Sequence, residues 1–187
     1  MSSSDELVRR SARLLIVDDR DRVLLLRFAF EPGVARRPYG WCTPGGGVRD
    51  GEALATAAAR EAAEETGLVV AADDVGDPVA YTGGYANLGF TDGEFRDDFF
   101  FVRVASHTVD TSRMEDLERS YHAGERWWSV AELAETDEIV YPCGLVPLLT
   151  ALIAGRRPAT PVALPWHHAD ESPPSRTCEP NAADTIA

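Results

Sequence analysis

The sequence predicts an α+β domain in which helices pack on a mixed or antiparallel sheet. Apolar runs of strand length are interspersed with helical patterns, without the regular strand–helix alternation of a doubly wound sheet. With 187 residues, of which 44% are hydrophobic and 26% charged, the chain can form one well-buried domain. We expect that domain to span residues 1–157.

The first third of the chain predicts a β-hairpin followed by irregular backbone. Residues 13–17 and 23–28 are apolar runs on either side of a polar tetrad, residues 18–21. Residues 31–40 carry two prolines and two glycines and predict a loop. In residues 44–47 a proline precedes three glycines, so we expect no regular element to continue there.

The middle of the chain predicts one long helix and several strands. Residues 53–66 are alanine-rich and free of Gly and Pro, and Gly67 is a C-terminal stop signal. Short strands are expected at residues 68–70 and 79–81, and a turn at residues 83–84. A strong β run at residues 99–104 predicts a buried central strand.

The last elements are short. We expect a helix at residues 114–119, a strand at residues 126–128, and a helix opened by a capping box at residues 129–133. A final helix, with Pro147 in its first turn, is predicted to run to Ala154. Six of the twelve prolines lie in residues 158–187, so this segment is predicted to be an extended or disordered tail.

The charge of the chain restricts its partners. The formal net charge is −13, and all 18 basic side chains are arginines. Such a surface repels polyanions, so general nucleic-acid binding is disfavoured, whereas a small anion could bind through a metal and a few arginines. The lack of lysine excludes the Walker phosphate loop and Schiff-base chemistry.

Sequence signals for membranes and export are weak. The N-terminus has acidic residues where a signal peptide would be basic, and the longest charge-free stretch, residues 139–155, is broken by prolines and a glycine. We therefore expect a cytoplasmic protein without a membrane anchor. The sequence leaves open whether it is a monomer or a homodimer.

The predicted long helix carries a cluster of acidic residues. At 100° per residue, Glu61, Glu64 and Glu65 fall on one face about 120° wide. Carboxylates this close repel one another unless a cation is present, and oxygen ligands of this kind suit Mg²⁺ or Mn²⁺. On this evidence alone a solvated acidic face is the more common alternative.

The spacing of the whole stretch resembles a known motif. Gly46, Glu52 and the run from Arg60 to Leu68 (REAAEETGL) match the Nudix box of the Nudix hydrolase family at every fixed position, with Ala62 and Leu68 at the two aliphatic positions. The preceding Trp-x-x-Pro-Gly-Gly is also similar to the usual approach to that box. The similarity extends over roughly residues 10–155.

This resemblance implies a fold and a chemistry. The fold would be the Nudix α/β/α sandwich, with a mixed central sheet and the box as a loop-helix-loop. The enzyme would use Mg²⁺, with Mn²⁺ as an alternative, to hydrolyse a diphosphate linkage in a nucleoside diphosphate joined to another group. The metal ligands would be Glu61, Glu64, Glu65 and the Gly46 carbonyl. Arg60 would orient these glutamates, and Glu52 would brace the box by pairing with Arg60.

The general base is not fixed in this family. Glu61 or Glu64 could serve, and so could a glutamate from a later loop. In this sequence Glu118 and Glu125 are the candidates for that outside carboxylate, and we prefer Glu118.

Substrate contacts are expected outside the box. Arg36 and Arg37 are candidates for a substrate phosphate, with a solvated loop pair as the alternative. Tyr39 and Tyr85 are candidates for stacking on a base. A non-catalytic nucleotide-binding or regulatory module on the same fold is the alternative to an enzyme.

Overall fold

The computed structural model describes residues 8–29, 39–87 and 92–166, which form a nine-stranded mixed sheet and five helices. The strands are β1 (Arg9–Val17), β2 (Arg22–Ala29), β3 (Tyr39–Cys42), β4 (Gly45–Gly47), β5 (Ala80–Asn87), β6 (Asp92–Arg103), β7 (His122–Ser129), β8 (Ile139–Tyr141) and β9 (Val162–Ala163). The helices are α1 (Leu54–Thr66), α2 (Ala72–Val75), α3 (Asp116–Tyr121), α4 (Val130–Glu135) and α5 (Leu145–Ile153).

Strand β1 lies at the centre of the sheet. The strand order is β8-β3-β2-β1-β6-β5-β9, with β4 also paired to β1 and β7 to β2. The pairs β1–β6, β3–β8 and β5–β9 are parallel, and the remaining pairs are antiparallel. The predicted hairpin is confirmed, because β1 and β2 pair antiparallel with Val17 opposite Val23.

Two hydrophobic cores lie on opposite faces of the sheet. In β1, Leu14 and Ile16 point to the core beneath α1, whereas Leu15 and Val17 point to the core beneath α4 and α5. This alternation is the period of two expected for a strand that is buried on both faces. The arrangement confirms the predicted α/β/α sandwich with a mixed central sheet.

Helix α1 matches its prediction closely. Its alanines Ala57, Ala58 and Ala62 are fully buried, and their small side chains allow the helix to pack close to β1 and β4. Gly67 ends the helix in the left-handed conformation, with a φ of 73°. The buried strand at residues 99–104 is also confirmed as part of β6, which lies between β1 and β5.

Three local predictions are wrong. The glycines 45–47 continue as β4, which pairs antiparallel with β1. Residues 68–70 are not a strand, and the short helix α2 follows them. Gly83 and Gly84 form no turn, because they lie inside β5 opposite Arg96 and Phe95.

The short elements predicted in the C-terminal part of the domain are observed. The helix predicted at residues 114–119 is observed as α3, and the strand at residues 126–128 lies within β7. Ser129 and Glu132 form the capping box of α4. The final helix, α5, contains Pro147 in its first turn.

The chain beyond α5 still contributes to the sheet. Val162 and Ala163 pair in parallel with Ala80 and Tyr81, so the boundary expected at residue 157 precedes a short edge strand. Residues 167–187, the rest of the predicted tail, lie outside the described part of the chain. None of the helices in the described ranges is long and apolar enough to cross a lipid bilayer.

Candidate metal centre and active site

Helix α1 places two glutamates in the protein interior. Glu61 and Glu65 are one turn apart, and only 5% and 3% of their surfaces are exposed. Glu64, between them in sequence, lies toward the rim, with 27% of its side chain exposed. Because the neighbouring alanines bring α1 close to the sheet, the two buried carboxylates lie against the glycine strand β4 rather than in solvent.

A third glutamate reaches the same place from α3. One carboxylate oxygen from each of Glu61, Glu65 and Glu118 lies within 4.8 Å of the other two. Glu125, the other candidate from outside the box, lies on β7, where its carboxylate is 3.5 Å from His122 Nε2. Of the two outside glutamates weighed from the sequence, it is therefore Glu118 that belongs to the described cluster.

The glycines of β4 fit closely around this cluster. The Gly45 N–H donates a 2.6 Å hydrogen bond to Glu65 Oε2. A Cβ added at Gly46 would lie 2.9 Å from Glu61 Oε1, closer than real Cβ contacts allow. Glycine at position 46 therefore lets the backbone approach Glu61, and the Gly45 N–H reaches Glu65 directly.

Arg60 links the glutamates on the outer side of α1. Its Nε and Nη2 donate to the two carboxylate oxygens of Glu52, at 2.9 and 3.0 Å. Its Nη1 donates to Glu61 at 2.6 Å and to Glu64 at 2.9 Å, and Nη2 also donates to the Gly47 carbonyl. The hydrogen bonds from Arg60 lower the pKa of Glu52 to about 2, so Glu52 is ionised at neutral pH.

Arg49, which the sequence reasoning did not single out, adds a second positive charge at the rim. Its Nη2 lies 3.5 Å from Glu64 and 3.9 Å from Glu115, and its backbone N–H donates to Glu52. The residue occupies a variable position of the box, so the motif gave no reason to select it.

The electrostatics of the cluster favour a bound cation. Burial raises the pKa of Glu65 to about 8, and the hydrogen bond from Gly45 offsets only part of this effect. Burial also raises the pKa of Glu61 and of Glu118, and nearby negative charges add to the rise at both. Three oxygen donors whose ionised forms are disfavoured by burial fit a hard divalent ion such as Mg²⁺, which would supply the missing positive charge.

Arg13 of β1 was also missed from the sequence. Its Nη1 donates to the carbonyls of Thr43, at 3.2 Å, and of Gly45, at 3.0 Å, and its Nε lies 3.3 Å from Asp97. The side chain therefore contacts the backbone that carries the Gly45–Glu65 hydrogen bond. No spacing rule connects residue 13 to the box, and only the pairing of β1 with β4 brings them together.

The residues expected to bind substrate are partly described. Tyr39 is half-exposed, and the Arg27 guanidinium lies over its ring at 4.5 Å. Tyr85 is 51% exposed on β5, and its carbonyl accepts a hydrogen bond from Trp166. Arg36 and Arg37 lie outside the described residues.

A large cavity lies elsewhere in the described part of the chain. It has a volume of about 850 Å³ and lies between α5, β8 and the segment 156–165. Its lining contains none of the clustered glutamates, so the chemistry of the side chains, and not cavity size, locates the candidate site.

Comparisons with known proteins agree with this geometry. A family model described as the NUDIX domain matches residues 7–142. The solution structure of the E. coli ORF135 protein is 22% identical, with 86% of this chain and 100% of that chain covered and a TM-score of 0.57. The MutT protein from Methanosarcina mazei Go1 is 22% identical, with 83% of this chain and 100% of that chain covered and a TM-score of 0.55. The E. coli dihydroneopterin triphosphate pyrophosphohydrolase is 16% identical, with 80% of this chain and 99% of that chain covered and a TM-score of 0.56.

Proposed function

The chain belongs to the Nudix hydrolase family, and from this premise we propose that it is a divalent-metal-dependent pyrophosphohydrolase. Its substrate would be a nucleoside diphosphate joined to another group, and a water molecule would attack one phosphorus of the diphosphate linkage. The observation that carries the proposal is the convergence of Glu61, Glu65 and Glu118 within 4.8 Å. Mg²⁺ is the proposed ion and Mn²⁺ the alternative.

The buried glutamates are the proposed metal ligands. Glu61 and Glu65 would hold the ion, and Glu64 and the Gly46 carbonyl would complete its set of protein ligands. The bound ion would neutralise the pyrophosphate and lower the pKa of the attacking water. Arg60 donates a hydrogen bond to Glu61 and Gly45 donates one to Glu65, so these carboxylates would need little reorganisation to bind an ion.

Glu118 is the proposed general base. It comes from a different helix than the other two carboxylates and is only partly buried, so it can reach both the cluster and solvent water. Its raised pKa brings it closer to neutral pH, where a general base is most efficient. It would accept one proton from the attacking water while the phosphorus–oxygen bond to the leaving phosphate breaks.

Arg60 acts through the glutamates. Its guanidinium faces Glu52, Glu61 and Glu64, so its positive charge serves to fix these carboxylates. A two-point contact with Glu52 limits rotation of the guanidinium and so fixes the donor that points to Glu61. Arg60 is therefore a positioning residue in this scheme.

The substrate is proposed only as a class. The net charge of −13 is compatible with a small anion that is bound through an ion and a few arginines. Two solved structures of similar fold carry names that specify phosphoanhydrides, the dihydroneopterin triphosphate pyrophosphohydrolase and a C. elegans Ap4A hydrolase. These names indicate which compounds a first screen should include.

A substrate panel tests the proposal. The protein is incubated with Mg²⁺ and nucleoside triphosphates, sugar nucleotides, ADP-ribose or dinucleoside polyphosphates, and the products are separated by chromatography. We expect turnover of at least one member by the wild type and not by Glu64→Gln. If no member is turned over above that control, the enzyme proposal fails, and tight nucleotide binding by calorimetry without product would favour the binding module.

A further inference from the structure

The side chain of Arg13 lies on the face of β1 that is opposite to α1. Leu15 and Val17, on the same face of this strand, belong to the core beneath α5, whereas Ala12 and Leu14 face α1. Arg13 nevertheless contacts the active-site backbone, because Gly45 is its direct partner in the antiparallel pair of β1 and β4. The guanidinium thus contacts β4 from the face of the sheet that is opposite to α1.

Three acceptors fix the guanidinium. Nη1 donates to the carbonyls of Thr43 and Gly45, and Nε lies 3.3 Å from Asp97 of the neighbouring strand β6. The side chains of Arg13 and Asp97 are 27% and 16% exposed, so the pair is mostly shielded from water. A shielded ion pair with extra hydrogen bonds holds its geometry better than an exposed one.

The backbone held in this way is the one that positions Glu65. The Gly45 carbonyl accepts from Arg13, and the Gly45 N–H donates to Glu65 at 2.6 Å. A Cβ at Gly45 would lie 2.5 Å from the Arg13 Cα, which shows how closely the glycine packs on this residue. A change in the position of Arg13 is therefore transmitted to the Glu65 carboxylate through a single residue, Gly45, whose carbonyl and N–H lie in adjacent peptide groups.

We propose that the Arg13–Asp97 pair is a positioning device for the metal centre, which holds the Thr43–Gly45 backbone so that the Gly45 N–H orients Glu65. This inference rests on the proposed function, because it assigns Glu65 to the bound ion. Arg13 is a positioning residue and does not itself contact the ion or the substrate in this scheme.

The direction of the change in metal affinity on removal of Arg13 distinguishes a positioning role from a purely electrostatic one. Arg13 is a cation near a site for cations, so its removal would strengthen metal binding if charge alone mattered. Removal of a group that orients a metal ligand weakens metal binding by about 10- to 100-fold. Because Asp97 already neutralises Arg13, we expect the loss of orientation to dominate.

The test compares four variants in Mn²⁺ binding, measured by calorimetry on the full chain. Arg13→Met and Asp97→Asn should weaken binding by about tenfold or more, and Arg13→Lys should recover part of the loss. Arg10→Met is the matched control, since Arg10 lies on the same strand and pairs with Asp98 of β6 but points to the other face. It should lower thermal stability without changing the affinity for Mn²⁺.

A second readout does not depend on a metal. The Gly45 amide should exchange with deuterium faster in Arg13→Met than in the wild type or in Arg10→Met, measured by NMR. Unchanged exchange together with unchanged or tighter Mn²⁺ binding in Arg13→Met would overturn the proposal.

If the wild type itself binds no Mn²⁺, the proposed function fails, and Gly45 exchange then decides the positioning role alone. If Arg13→Met does not fold, Arg13→Lys and Asp97→Asn decide the proposal by the same criteria.

Discussion

Glu52 and Arg60 form a two-point ion pair at the rim of the metal centre, with both carboxylate oxygens accepting hydrogen bonds at 2.9 and 3.0 Å. Only 12% of the Glu52 side chain and 15% of the Arg60 side chain are exposed. The pair leaves Arg60 Nη1 directed at Glu61 and Glu64. Residue 52 therefore influences the buried carboxylates through Arg60 without touching them.

The first prediction concerns this pair. Glu52→Gln keeps the shape of the side chain but removes its charge. We therefore expect the free energy of unfolding, measured by urea denaturation, to fall by about 1.5–3 kcal/mol. Glu135→Gln, an exposed position on α4, is the control and should change stability by less than about 0.5 kcal/mol. Equal stabilities of the two variants would show that the pair contributes nothing to the fold.

The second prediction uses two adjacent glycines. In Gly46→Ala the new Cβ would lie 2.9 Å from Glu61 Oε1, so the carboxylate must move and the affinity for Mn²⁺ should fall by about tenfold or more. In Gly47→Ala the new Cβ meets nothing within 4 Å, and we expect wild-type affinity. Calorimetric titration of both variants checks this contrast, and equal affinities would place the ion away from Glu61.

The third prediction is a pH dependence of stability without metal. The pKa of Glu65 is about 8 in the folded protein against an ordinary value of 4.5, so the native state binds more protons than the unfolded state between these two values. Unfolding free energy should therefore fall as the pH rises from about 4.5 to about 8. Glu61 and Glu118, whose pKa values are also raised, act in the same direction.

Thermal melts in EDTA between pH 5 and pH 8.5 would check this prediction. In Glu65→Gln the largest titration is removed, so the melting temperature should depend less on pH than in the wild type. At about pH 8.5 the variant should be at least as stable as the wild type. Parallel profiles for the two proteins would mean that Glu65 is not the titrating group.

The fourth prediction follows from the same protonated carboxyls. Binding of Mn²⁺ near pH 7 should release protons, because the ligands must be ionised to bind the ion. Calorimetry in two buffers that differ in ionisation enthalpy should therefore give different apparent heats. The affinity should also rise between about pH 6 and about pH 8, by up to tenfold per unit for each proton displaced. Identical heats in both buffers would contradict the assignment of Glu65 as a ligand.

The sequence predicted the elements that depend on local patterns. The α/β/α class and α1 with its Gly67 stop follow from periodicity and the box motif, and both are confirmed. The preference for Glu118 over Glu125 agrees with the observed cluster, although its role as a base stays a prediction. The spacing of residues carries α1 and its stop, whereas the sandwich fold and the outside glutamate follow from the resemblance to the Nudix family.

The missed features depend on pairing between distant strands. Glycine runs predict turns, but Gly45–Gly47 and Gly83–Gly84 are held as strands by β1 and β6, whose backbone hydrogen bonds outweigh the local preference. Arg13 could not be connected to the box from its position, because the contact exists only through the pairing of β1 with β4. Strand register is the information that the local pattern lacks.

The proposed metal centre is best tested by the dependence of turnover on free Mg²⁺, measured for the wild type and for Glu65→Gln with the best substrate of the panel. We expect wild-type turnover to rise with Mg²⁺ to saturation and to be abolished by EDTA. We also expect Glu65→Gln to lose about 10²-fold or more in turnover at equal Mg²⁺. Turnover that persists in EDTA, or a Glu65→Gln variant as active as the wild type, would contradict a metal centre built on Glu61 and Glu65.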